Sequence, residues 1–93
     1  MIHYNHISID RAALPSPRNY YSEQFPDLKL GSVWATVICP FHEDSKPSLS
    51  INLNEGYFRC HGCGAKGGDI ISFHKQRNKM SFIEACEDLG VLA

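Results

Sequence analysis

A chain of 93 residues with 43% hydrophobic and 20% charged side chains has the profile of one small folded domain rather than a disordered tail. No apolar run approaches the ~20 residues of a membrane span, and the start, Met1-Ile2-His3-Tyr4-Asn5-His6, lacks the basic and apolar segments of a secretory signal. A formal net charge of −1 excludes a general polycation.

Asp10 to Leu14 fits a helical turn, and Ser16-Pro17 fits an N-cap followed by a first-turn proline, which predicts a short helix over residues 17–24. Pro15, Pro17 and Pro26 break this region, so the competing reading is an irregular arm that packs Tyr20, Tyr21 and Phe25 on the rest. We therefore divide the chain into an N-terminal arm, 1–27, and a domain, 28–93.

Residues 33–38, Val-Trp-Ala-Thr-Val-Ile, are β-branched and aromatic and predict a strand running into Cys39. Residues 48–53 alternate, with Leu49, Ile51 and Leu53 on one side and Ser48, Ser50 and Asn52 on the other. Asn54-Glu55-Gly56 is a hairpin turn signal, and Tyr57-Phe58-Arg59 returns as a third strand that delivers Cys60. Gly67-Gly68 ends the sheet region, and Asp69 caps a helix starting at Ile70 with Ile70, Ile71, Phe73 and His74 on its apolar side. Ser81-x-x-Glu84 is a capping box behind Met80, with Phe82, Ala85, Cys86 and Leu89 at helical spacing and Gly90 as the stop. The expected class is α+β, a small antiparallel sheet with flanking short helices.

The charge is uneven along the chain. Residues 59–79 carry Arg59, Lys66, Lys75, Arg77 and Lys79 against Asp69 alone, whereas residues 80–93 carry Glu84, Glu87 and Asp88 with no base.

Four cysteines allow two disulfides, but such frameworks belong to secreted chains, and nothing here signals secretion. The spacing offers a better use: Cys39-x-x-His42, seventeen intervening residues, then Cys60-x-x-Cys63. Thiolate and imidazole in that pattern suit one tetrahedral zinc ion. The intervening stretch holds a strand, a turn and a returning strand, so the second knuckle comes back beside the first. Four protein donors leave no open position, which makes the ion structural. His61 is read as exposed, Cys86 as a buried small hydrophobe and His74 as a helix-face residue; His3 and His6 are unrelated to the site. A redox role for Cys60-x-x-Cys63 gives way to the same ligand set.

Cys39-Pro40-Phe41-His42-Glu43-Asp44, Lys46-Pro47-Ser48-Leu49-Ser50-Ile51 and Phe58-Arg59-Cys60-His61-Gly62-Cys63-Gly64-Ala65-Lys66-Gly67-Gly68-Asp69-Ile70 together resemble the zinc-binding domain of bacterial and phage DNA primases. The resemblance covers about residues 28–90. It implies a zinc ribbon, Cys39, His42, Cys60 and Cys63 as ligands, and engagement of single-stranded DNA template. A primase also needs a polymerase domain with acidic residues for its catalytic metals, which a chain ending at Ala93 does not contain. The expectation is a stand-alone, cytoplasmic, non-enzymatic module acting in replication or in plasmid, phage or mobile-element maintenance, without membrane or small-molecule partners.

Single strands are held by basic groups on phosphates and aromatic faces on bases. Arg59, Lys66, Lys46, Trp34, Tyr57 and the exposed His61 are the candidates, with Lys75, Arg77 and Lys79 as an extension. Trp34, Tyr57 and Phe58 flank strands, which favours burial of at least two of the three. A competing function is an adaptor docking on a helicase, primase or polymerase, favoured by the near-neutral charge and the acidic last helix.

Overall fold

The structure is a computed structural model that describes residues 8–43 and 46–92. His3, His6 and Asp44 lie outside the described residues. A 3-10 turn at Arg11–Ala13 leads to α1 (Pro17–Gln24), then strands β1 (Trp34–Ile38), β2 (Pro47–Asn52), β3 (Phe58–Cys60) and β4 (Lys66–Gly67), then α2 (Ile70–Asn78) and α3 (Phe82–Asp88). The strands form one antiparallel sheet in the order β1-β2-β3-β4.

Local chemistry sets the helix ends. The Ser16 hydroxyl accepts from the Asn19 N–H, and the Asp69 carboxylate accepts from the Ser72 N–H. Ser81 and Glu84 form the full capping box, each side chain bonded to the other's backbone N–H. The helix over 17–24 therefore forms in place of the irregular arm that the prolines favour, while Tyr20, Tyr21 and Phe25 pack on the rest as that arm would place them. Two features escaped expectation. β4 continues the sheet through Lys66–Gly67, and α2 ends on Lys79 in the left-handed conformation (φ 55°).

The register divides the sheet into two faces. Ala35, Ile51 and Phe58 align across β1–β3 on the inner face, and Val37, Leu49 and Cys60 align beside them. Against this face pack Tyr20 and Tyr21 of α1 and Ile70 and Phe73 of α2. Fully buried Phe73 is the hub: Tyr21, Phe58 and Phe41 lie edge-on to it with ring centroids at 5.1, 5.2 and 5.3 Å. A second cluster of Ile71, Ala85, Cys86 and Val91, with Met80 and Leu89 packed on it, seats α3. Phe82, expected on that apolar side, is 40% exposed at the first position of α3 and is not part of the second cluster.

His74 does more than occupy a helix face. It is buried, its Nδ1 lies 2.8 Å from the Tyr20 hydroxyl and its Nε2 lies 2.5 Å from Asp88 Oδ2. Burial pushes the Tyr20 phenol well above its ordinary range, so it keeps its proton, and it donates to Nδ1 in the His74 tautomer whose hydrogen sits on Nε2. Nε2 then carries the imidazole hydrogen and donates to Asp88. One imidazole thus ties α1 to α3 through α2. His74→Leu should remove the acceptor of a buried hydroxyl and cost about 2 kcal/mol in urea unfolding. Tyr20→Phe added to it should recover part of that loss, and strict additivity of the two changes would contradict the coupling.

Candidate metal centre

Each half of the cluster grows out of a strand. β1 ends at Ile38 and hands the chain to Cys39, and β3 ends on Cys60. Phe41, between Cys39 and His42, stacks on Phe58 (5.8 Å, 28°) and so pins the first knuckle to the core. The second knuckle closes with the Gly64 N–H donating to the Cys60 carbonyl at 3.1 Å, and Gly64 takes φ +79°, which a side chain would resist. The His61 N–H donates to the Ser48 carbonyl, and the Cys60 N–H to the Ala65 carbonyl, so the knuckle is laced to β2 and to the approach of β4.

The ligand atoms of Cys39, His42, Cys60 and Cys63 all lie within 4.8 Å of one another. Cys39 Sγ is 3.9 Å from Cys63 Sγ, and Cys60 Sγ is 3.9 Å from His42 Nδ1. Donors at zinc bond lengths in a tetrahedron stand roughly 3.5–3.8 Å apart, so the arrangement fits one ion. Cys39 and Cys60 are buried, His42 is half-buried and Cys63 is exposed at the rim. All four cysteines, the buried Cys86 included, are free thiols.

The sulfurs are prepared for negative charge. Phe41 N–H points at Cys39 Sγ (3.4 Å), and the N–H groups of Gly62 and Cys63 point at Cys60 Sγ (3.3 and 3.4 Å). The Ser48 hydroxyl adds a further contact to Cys60 Sγ at 3.4 Å. Burial pushes the Cys60 thiol up, but the Ser48 hydroxyl and the two N–H groups outweigh it and bring it down to about 6. Cys39 has fewer donors, and burial pushes it up to about 12. A bound Zn²⁺ would hold every one of these sulfurs as thiolate. The four protein donors fill a tetrahedral shell, which suits a structural ion.

A sequence-family profile described as the CHC2 zinc finger matches residues 24–92. This chain belongs to the CHC2 zinc-finger family of DNA primases. It is similar to the DNA primase of Lactococcus lactis, 39% identical over 56 residues, which are 60% of this chain and 9% of that protein. It is likewise similar to the DNA primase of Helicobacter pylori strain J99, 42% identical over 66 residues, 71% of this chain and 12% of that protein. Among solved structures, the Aquifex aeolicus primase containing zinc-binding and RNA polymerase domains superposes with a TM-score of 0.66 at 28% identity, over 83% of this chain and 20% of that one. The chain spans about a tenth of the length of these curated primases.

The remaining candidates of this CHC2 finger fall mostly on one side. The register puts Thr36, Ser50, Arg59 and Lys66 in one row across all four strands on the outer face. Trp34 and Tyr57 stand beside this row, 51% and 40% exposed, with ring centroids 5.4 Å apart in a T-shape. This overturns the expectation that two of the three aromatics are core, since only Phe58 is buried. Trp34 and Tyr57 sit on the face that no helix covers among the described residues. His61 is exposed, as expected, with Nε2 3.3 Å from the Ser50 hydroxyl. Lys46 is exposed ahead of Pro47, outside the row. Lys75, Arg77 and Lys79 are exposed on and just after α2, which packs on the inner face.

Two residues that sequence reasoning passed over position this site. Asn52 belongs to the outer face yet is 4% exposed. Its Oδ1 accepts from the N–H groups of Asn54 and Glu55, and its Nδ2 donates to the Tyr57 hydroxyl at 3.1 Å. The other is Gly62. A Cβ there would stand 2.9 Å from His42 Nε2 and 3.1 Å from its Cε1. An imidazole held by a metal cannot move aside, so Gly62→Ala should weaken zinc binding about tenfold against a chromophoric chelator. Complete removal of zinc should abolish the cooperative melt, because ion binding and folding are coupled. A metal-free protein melting unchanged would refute the structural role.

Proposed function

We propose that this CHC2 finger engages single-stranded DNA with the outer face of its sheet. The observation that carries the reading is the row Thr36–Ser50–Arg59–Lys66 flanked by the exposed Trp34–Tyr57 pair. Strands about 4.8 Å apart make this row roughly 14 Å long, with the two cations on β3 and β4, Tyr57 just ahead of β3 and Trp34 at the start of β1. Cations neutralise phosphates, while aromatic faces stack on any base, so the combination suits an unpaired strand rather than a duplex. Arg59 directly precedes a zinc ligand, which limits how far its backbone moves.

The role we assign, with the family as its support, is a DNA-engaging part of replication, or of plasmid, phage or mobile-element maintenance, acting in the cytoplasm. Primer synthesis is not assigned to this chain, since a closed zinc shell offers no reacting position. No helix among the described residues is long and apolar enough to cross a membrane. A second reading, an adaptor docking on a helicase, primase or polymerase, draws support from α3. That helix carries Glu84, Glu87 and Asp88 beside the exposed Phe82.

Fluorescence anisotropy with labelled single-stranded oligonucleotides across a salt series tests the first reading. Affinity should fall as salt rises. Arg59→Ala and Lys66→Ala should each weaken binding and flatten the log–log salt slope by about 0.7. Trp34→Ala should weaken binding roughly tenfold and leave the slope unchanged. Absence of binding at low salt on every template tried would rule the reading out.

A further inference from the structure

The sheet has two edges, and they are treated differently. β4 is two residues long, and the Gln76 side chain of α2 donates to the Lys66 carbonyl at 2.9 Å. β1 is five residues long and lies at the other end of the strand order. The Leu53 N–H donates to the Val33 carbonyl, while Asn52 and His61 bond to β3 partners through even-numbered β2 positions. The alternation therefore turns the backbone groups of Trp34, Thr36 and Ile38 away from β2. The Trp34 carbonyl accepts from the Ser32 hydroxyl, and among the described residues no strand lies beyond β1.

Proteins protect such an edge with charge, proline or a bulge. Residues 30–38 contain neither a charged side chain nor a proline, and the register stays regular from Trp34 to Val37, with its one shift between Val37 and Ile38 at the end of the strand. Of the six large apolar side chains exposed among the described residues, Leu30, Val33, Trp34 and Ile38 border this edge. Beside it runs a groove of about 680 Å³ between β1 and the segment from Gln24 to Ser32. That segment is built in place. Phe25 and Leu28 pack on the core, and the Arg18 guanidinium donates to the carbonyls of Leu30 and Ser32 and to Asn54 Oδ1.

We infer that the β1 edge is a docking site for an extended, uncharged peptide segment of a partner protein, which adds as a fifth strand. An edge offering N–H and C=O groups at alternate residues selects an extended polypeptide, because only a strand repeats its own groups at the same spacing. The stretch at 30–38 carries no charge, and the groove wall adds one acid and one base, Asp27 and Lys29, so a segment without net charge complements the site. Alternate side chains of that segment enter the groove against Phe25, Leu28, Ala35 and Val37. A second copy fits less well, since its own Gln24–Ser32 wall would have to enter a groove already bounded on both sides. The contact differs from the DNA reading in that backbone groups in the sheet plane, not the outward Arg59 and Lys66, make it, and Trp34 is the residue the two surfaces share.

The test uses the zinc-loaded chain and the soluble probe Lys-Thr-Val-Thr-Val-Thr-Val-Lys, blocked at both ends. A version with proline at the central threonine serves as control. Saturable binding is expected, weakened at least about tenfold by the proline, with slowed hydrogen exchange at the Thr36 and Ile38 amides. Exchange at Ala35 and Val37 should stay as slow as before, and excess single-stranded oligonucleotide should not displace the peptide. Thr36→Pro, which removes an outward N–H and no internal bond, should reduce binding about tenfold at unchanged zinc content. Equal binding of both peptides, or unchanged exchange at Thr36 and Ile38 of the unaltered chain, would overturn the inference. Concentration-dependent dimerisation that Thr36→Pro abolishes would also overturn it, by making a second copy the occupant.

Discussion

Cys60 has to serve the metal and the core at once, and most of the structure follows from that constraint. It pairs with Leu49 on the inner face, is 1% exposed, and is one of the four clustered ligands. Side chains on a strand alternate, so its neighbour Arg59 must point to the outer face. A slip of one residue between β2 and β3 would bury Arg59 and expose the thiol, losing both the ion and the core contact. The metal thus chooses the register, and the register places Arg59 opposite Ser50 and beside Lys66.

The two faces then divide the work. The inner face carries stability, with Phe73 gathering Tyr21, Phe58 and Phe41 and the His74 imidazole linking three helices. Phe58 connects this core to the metal centre through Phe41, so a disturbance of either reaches the other. In a chain of 93 residues the hydrophobic core is limited, and a coupled metal and aromatic hub compensates for its size. The outer face carries no such duty, which leaves Trp34 and Tyr57 exposed without loss of packing.

What was legible in the sequence was local. The two knuckles, the alternation of Leu49 and Ile51, the Asp69 cap and the Ser81–Glu84 box are short-range patterns with a direct physical cause, and each appears in the structure. What escaped depends on partners far along the chain. Asn52 is buried because it folds the hairpin turn and reaches Tyr57, although alternation alone makes it a solvent residue. Trp34 and Tyr57 look like core by composition, but their side depends on register, and among the described residues the helices pack on the other side. His74 gave no sign of its bonds to Tyr20 and Asp88, which lie 54 and 14 residues away. β4 is too short to show a period, and it exists because β3 offers it an edge.

The unequal edges follow from the same geometry. Beyond β3 the chain must turn within the second knuckle, so β4 is brief and α2 closes over it through Gln76. On the opposite side, β1 is long because it has to carry the chain up to Cys39. Its outward groups lie in the plane of the sheet, whereas Arg59 and Lys66 stand perpendicular to it. A strand added at Thr36 would therefore widen the outer platform rather than cover it. Nucleic acid on the face and a polypeptide on the edge are compatible occupants, and the zinc ion that sets the register holds both surfaces in one frame.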